Sequence, residues 1–315
     1  MKIVVGIDLT PEEQRMFREA APGCALEFVG AGGISAENAA DAEMVIGNPP
    51  HALLPRLTSL KALQLGSAGN DGYDTAIQQL PGAKLYNASG AYGLTLAEHM
   101  LGTLLMLMRN LHLYRDQQLS RRWELLGSMS SIWGARILVL GLGNVGTMFA
   151  ERVKALGAHV IGMKRTPDSK PDCVDKLWTI DQIDEVLPTV DAVCMSLPNT
   201  PATAGILSAA RIAAMKPGAY VVNVGRGSAI DQKALTDALN SGRLGGAALD
   251  VTVPEPLPED DPLWTAKNCI ITPHAAGGFA LSQTKAYLVE ILLENLRAFV
   301  SGAPMHNEVD VTRGY

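Results

Sequence analysis

A chain of 315 residues, 47% hydrophobic and 5% aromatic, is long enough for two ordinary domains and can bury its core without disulfide or metal staples. Its formal charge of −6, with acids and bases interspersed, argues against a nucleic-acid surface, which needs a basic stripe. The four cysteines, Cys24, Cys173, Cys194 and Cys269, form no C-x-x-C pair and lie near no histidine at ligand spacing. They read as small buried hydrophobes; no metal site is expected, and a reducing cytoplasm is the default compartment.

The N-terminal MKIVVGIDLTPEE turns acidic after one short apolar run and does not read as a secretory signal. Near-continuous apolar strands are expected at 2–7, 44–48, 60–66 and 84–90, the pattern of a buried parallel sheet. A helix over 95–118 follows. Its most apolar part, MLGTLLMLMRN, stops at Arg109 and is too short to span a bilayer, so no membrane partner is expected. After an irregular segment, LSRRWELLGSMSSIWGA, a second strand set begins with 136–141 and continues with AHVIGM, DAVCMSLP, AYVVNVG, GGAALDV and NCIITPH. Strands alternating with helices predict an α/β protein of two doubly wound parallel-sheet domains with a cleft between them, one a six-stranded dinucleotide-binding (Rossmann) unit and the other a flavodoxin-like substrate domain. The long helices near 95–118 and 282–301 are expected to cross between the domains. The first domain is then discontinuous, 1–97 with 284–315, and the nucleotide domain is 98–283.

VLGLGNVG carries Gly141, Leu142, Gly143, Asn144, Val145 and Gly146, a G-x-G-x-x-G between an apolar strand and a helix. The first glycine permits the tight turn, the second lets backbone approach a pyrophosphate, and the third lets helix and strand pack closely. The acid that usually grips the ribose lies about 20 residues on. Here that place, at the end of HVIGM, holds Lys164, followed by Arg165 and Thr166. A carboxylate there repels a 2′-phosphate, whereas cations make charge-assisted bonds to it. NADP(H) is therefore the expected cofactor, with NAD(H) as the second option. Asp168 follows Pro167 and reads as a turn residue rather than a displaced ribose acid.

Three further residues follow apolar strands, at the sheet end where ligands bind in such folds: Arg226 in NVGRGSAID, Glu255 in the proline-rich VPEPLPEDD, and His274 in ITPHAAGG. A free imidazole, with a pKa of about 6.5, is mostly the wrong acid at neutral pH, and a nearby carboxylate favours its charged form. His51, His99, His112, His159 and His306 read as structural, although His99 sits in the distinctive AEH.

Taken in order, LGSAGNDGYD, NASGAYGLTLAEH, GLGNVG, SLPNTPATAGIL, MKPGAYVVNVGRGSAID, AALDVTVPEPLPEDDPLW and TPHAAG resemble the D-isomer-specific 2-hydroxyacid dehydrogenases over almost the whole chain. The resemblance implies that Arg226 binds the substrate carboxylate and polarises its 2-oxo group, that His274 is the general acid/base, and that Glu255 is its partner. It further implies that the backbone of Ser67, Ala68 and Gly69 receives the carboxylate. Leu197, Pro198, Thr203, Val224, Gly225, Asp250 and Thr95 are implied as cofactor contacts, Asp250 at the nicotinamide carboxamide. The expected activity is reduction of a small 2-oxo acid such as glyoxylate or hydroxypyruvate to the D-2-hydroxy acid, by a homodimer. The alternatives are an NAD-dependent phosphoglycerate dehydrogenase and a non-catalytic cofactor-sensing protein like the corepressors of this fold. The formate-oxidising branch is disfavoured because it resembles this chain but places Gln where Glu255 stands. The chain departs from the family pattern at Lys164 and in WELLGSMSSIWG, which lacks the usual glycine-leucine spacing of a segment that often helps form the dimer. Trp264, in DPLW, is expected either at the substrate mouth or in the core.

Overall fold

Short apolar runs set the first sheet: β1 (Lys2–Gly6), β2 (Ala25–Phe28), β3 (Met44–Gly47), β4 (Ala62–Gln64) and β5 (Lys84–Tyr86), all parallel, in the order β2-β1-β3-β4-β5. This is the flavodoxin-like winding. One face is covered by Phe17 of the helix Pro11–Ala20 and by Leu288, Leu292 and Leu296 of the helix Ser282–Ser301; the other is covered by Leu54, Leu57 and Ile77. The helix Pro11–Ala20 starts with a capping box, Thr10 and Glu13 each satisfying the other's backbone N–H, with a proline in the first turn.

The second sheet holds β6 (Arg136–Leu140), β7 (His159–Lys164), β8 (Lys176–Thr179), β9 (Ala192–Met195), β10 (Tyr220–Asn223), β11 (Gly246–Leu249) and β12 (Cys269–Ile271). Its order, β12-β11-β10-β9-β6-β7-β8, is again all parallel. That is the Rossmann winding with one strand added beyond the sixth. Helices Gly93–Met108 and Asn144–Ala155 pack Met100, Leu104, Phe149 and Val153 on one face; Ile212, Leu235 and Leu239 cover the other.

These coordinates come from a computed structural model that describes residues 1–166, 169–279 and 281–312; Pro167 and Asp168 lie outside the described residues. The chain divides into two compact units, Met1–Tyr92 with the chain from Phe279 onward, and Gly93–Gly278. Among the described residues no helix is long and apolar enough to cross a membrane.

The α/β class and the two parallel sheets agree with the sequence, but each sheet has one strand more than the apolar runs predict. Both additions, β2 and β8, are four-residue edge strands that remain partly exposed along their length. An edge strand wet on one side needs no continuous apolar run. The predicted 95–118 helix is broken: Asn110 takes a left-handed φ of 56° between Gly93–Met108 and a second helix, Leu111–Leu119. Asparagine tolerates that conformation better than most residues, so no glycine marks the break.

Candidate functional site

The glycine loop joins β6 to the helix Asn144–Ala155. Gly141 turns at φ +93°, and its N–H donates to Met163 O at 3.0 Å, which ties the loop to the end of β7. A Cβ on Gly146 would lie 1.8 Å from Gly141 O, so helix and strand approach as closely as backbone allows. Gly143 is different: nothing lies within 4 Å of its Cβ position, and as helix N-cap it supplies no side-chain bond to the first turn. Open space above uncapped N–H groups suits an anion at this helix start. Leu142 packs against Gly162 of β7, and Val145 is half-buried. These residues fit a dinucleotide.

Lys164 closes β7, one residue past Met163, so it stands at the carboxyl end of the sheet next to the glycine loop. Its Nζ reaches Ser169 Oγ at 3.4 Å, and Arg165 and Thr166 follow, exposed. Leu197 and Pro198 continue from β9. The Leu197 backbone runs so close to Gly225 that a Cβ there would meet Leu197 O at 2.6 Å. Val224 and Gly225 are buried, and Asn223 Oδ1 accepts the Gly225 N–H at 3.0 Å.

Arg226 follows at the end of β10. Asn223 Nδ2 donates to its carbonyl (2.9 Å), while its own Nη1 donates to Gly225 O (2.7 Å). Gly227 seats this loop on the next strand connection, where a Cβ would strike Thr252 O at 2.3 Å. Beyond β11, Glu255 Oε1 accepts the Thr252 N–H at 3.1 Å, which leaves Oε2 directed at His274 Nδ1, 2.8 Å away. His274 follows β12 with a left-handed φ of 50°, its N–H donating to Asp250 O (2.8 Å) and Thr272 O (3.0 Å). Because Glu255 takes Nδ1, Nε2 is the ring atom left to exchange a proton with a ligand. The pair is partly open to solvent, with side-chain exposures of 49% for His274 and 39% for Glu255. A cavity of about 380 Å³ opens beside them, walled by Leu257, Ile271 and Trp264. Trp264 is half-exposed and lines this cavity rather than filling core; its Nε1 donates to Pro258 O at 2.8 Å.

Residues 101–276 match the family model described as "D-isomer specific 2-hydroxyacid dehydrogenase, NAD binding domain". The chain belongs to the D-isomer-specific 2-hydroxyacid dehydrogenase family. It is 31% identical to a putative 2-hydroxyacid dehydrogenase of Haemophilus influenzae over 84% of this chain and 86% of that one. It is likewise 31% identical to glyoxylate/hydroxypyruvate reductase A of Photorhabdus laumondii over 85% of each. Among solved structures, the D-isomer specific 2-hydroxyacid dehydrogenase of Xanthobacter autotrophicus Py2, in complex with NADPH and MES, superposes with a TM-score of 0.84. That pair is 29% identical, with 100% of this chain and 99% of the other covered.

This 2-hydroxyacid dehydrogenase is thus an NAD(P)-dependent oxidoreductase whose Arg226, Glu255 and His274 all lie at the carboxyl end of one sheet. Three other residues expected at the cofactor have their side chains engaged within the protein. The Thr203 hydroxyl donates to Pro198 O (2.6 Å) and accepts the Thr200 N–H (2.9 Å), closing a turn. Asp250 is buried, and its carboxylate accepts bonds from Thr272, Ala275 and Ala276. Thr95 Oγ1 donates to Ala276 O at 3.0 Å. Asn223, which clasps the Arg226 loop from both sides, has one signal in the sequence, its place two residues before Gly225 in N-x-G-R-G.

Ser67, Ala68 and Gly69 belong to the other unit, on a half-buried loop after β4. Ser67 Oγ donates to Gly69 O (2.7 Å) and accepts from Asn48 Nδ2 (2.9 Å). The Tyr92 hydroxyl donates to Gly66 O, and burial pushes its pKa up to about 12, so it stays a phenol donor at neutral pH. Burial likewise pushes the Cys269 thiol up to about 12 and raises Cys194 further, which keeps both inert as nucleophiles.

Proposed function

We propose that this chain reduces small 2-oxo acids, of the glyoxylate and hydroxypyruvate class, to D-2-hydroxy acids with NADPH. The observation that carries the reading is the 2.8 Å pairing of His274 Nδ1 with Glu255, on the same sheet end as Arg226 and the glycine loop. His274 holds a proton at Nε2 and delivers it to the carbonyl oxygen as that oxygen becomes an alkoxide. Glu255 fixes the ring's orientation and compensates its charge in the protonated state. Arg226 sets a permanent positive charge against the carboxylate and the developing oxyanion. The Ser67–Gly69 loop is assigned to the substrate carboxylate on its motif. The nicotinamide ring, when bound, supplies the hydride.

For the cofactor, the N–H groups at Gly143 to Val145 hold the pyrophosphate, and Leu197, Pro198, Val224 and Gly225 shape the floor beside it. Lys164, Arg165 and Thr166 grip the 2′-phosphate. The relative from Xanthobacter bound to NADPH supports this choice. The reaction is tested by incubating the protein with NADPH and hydroxypyruvate and resolving the glycerate enantiomers. D-glycerate is expected; L-glycerate, or no conversion of any 2-oxo acid tried, sinks the reading.

We assign the protein to the cytoplasm, in keeping with four cysteines that carry no disulfide. We also assign a homodimer. Trp123 is fully exposed and Leu125 is 94% exposed, two large apolar side chains of the kind a second copy covers, beside a cavity of about 660 Å³ whose other walls are largely polar, among them Gln117, Arg121 and Glu124. Trp123→Ser with Leu125→Ser is expected to convert a dimer to monomer in sedimentation equilibrium; an unaltered protein that already sediments as monomer refutes the assignment.

A further inference from the structure

His99 reads as structural in the sequence, and the proposed reaction does not use it. Its Nε2 lies 3.2 Å from Thr272 Oγ1, and the same hydroxyl lies 2.5 Å from Asp250 Oδ1. A hydroxyl has one proton. The short contact to a carboxylate claims it, so Thr272 must accept at its other side. His99 therefore donates from Nε2, which fixes its tautomer and gives the contacts a direction: His99 to Thr272 to Asp250.

Asp250 is where that chain meets the acid–base loop. Its buried carboxylate accepts the N–H of Ala275 at 2.9 Å and of Ala276 at 3.1 Å, and its carbonyl accepts the His274 N–H at 2.8 Å. One aspartate thus holds the residues on both sides of His274. The loop needs such a hold, because the left-handed φ of His274 costs on the order of 1 kcal/mol and persists only where the surroundings impose it. The helix Gly93–Met108 grips the loop a second time, through Thr95 Oγ1 on Ala276 O at 3.0 Å. Thr95 and His99 are four residues apart, so both anchors stand on one face of that helix. One anchor meets the loop just before His274 and the other just after it.

We propose that His99 is a positioning residue, which acts through Thr272 and Asp250 to set the backbone that presents His274. The proposal rests on the reading of His274 as the acid–base group. His99→Leu is expected to lower kcat by about tenfold or more, as small displacements of a reacting group do, while leaving NADPH affinity unchanged. His99→Gln, whose amide nitrogen donates in place of Nε2, is expected to restore most of kcat. Combining His99→Leu with Thr272→Val should cost no more than Thr272→Val alone, since both break one chain. Nitrogen NMR of the full-length protein should show the His274 ring resonances displaced in His99→Leu and returned in His99→Gln. Unmoved His274 resonances, a wild-type kcat in His99→Leu, equal losses in the Leu and Gln variants, or additive losses in the double variant would each overturn it. If His274→Ala keeps full turnover, the acid–base reading falls instead, and the NMR displacement still reports whether His99 is coupled to the loop.

Discussion

His274→Ala is expected to lower kcat for 2-oxo acid reduction by about 10³-fold, in the middle of the range for losing a positioned proton donor. The same variant should bind NADPH as the unaltered protein does. His274 follows β12 on a loop whose backbone is held by Asp250 and Thr272, and the glycine loop follows β6, four strands away across the sheet. Removing the ring is therefore expected to take away the proposed proton donor and leave the glycine loop undisturbed. Stopped-flow fluorescence of NADPH binding, run beside steady-state turnover, separates the two effects. A kcat within about tenfold of wild type lies below the range expected for a general acid and would remove His274 from that role.

The second large effect concerns coenzyme choice. Replacing Lys164 with Asp and Arg165 with Ala is expected to weaken NADPH by about 10²-fold while leaving NADH the same or tighter. Two charge-assisted bonds to phosphate support that size even after discounting for solvent. The position matters as much as the charge. Lys164 follows Met163, whose carbonyl accepts the Gly141 N–H, so the cations stand where a ribose-binding acid stands in NAD-specific relatives of this fold. Dissociation constants for both cofactors, measured by titration against both proteins, decide it. Equal weakening of NADPH and NADH means a general loss of the site and no phosphate clasp.

Much of this was legible in the sequence because it depends on spacing along single strands and turns. The glycine loop, the cations after HVIGM and the Arg, Glu and His motifs each sit directly after an apolar run, and the buried parallel strands announce themselves. What the sequence concealed depends on partners far apart in the chain. β2 and β8 are held by their neighbours and not by apolar runs of their own. Thr95, Thr203 and Asp250 carry atoms suited to a cofactor, yet their hydroxyls and carboxylate are engaged with Ala276, Pro198 and the His274 loop. These internal partners lie far from them in the chain or across a turn, so spacing alone does not reveal them. Trp264 shows the same limit from the apolar side, since only the fold places it on a cavity wall beside His274.

NADPH-dependent reduction of a small 2-oxo acid is tested by comparing the two cofactors in turnover. With glyoxylate as substrate, kcat/KM is determined for NADPH and for NADH on the unaltered protein by following nicotinamide absorbance. Turnover with both cofactors and a preference for NADPH of about tenfold or more is the result predicted, each tenfold corresponding to about 1.4 kcal/mol of discrimination. Turnover that favours NADH, or none with either cofactor while both bind, is incompatible with an NADPH-dependent 2-oxo acid reductase.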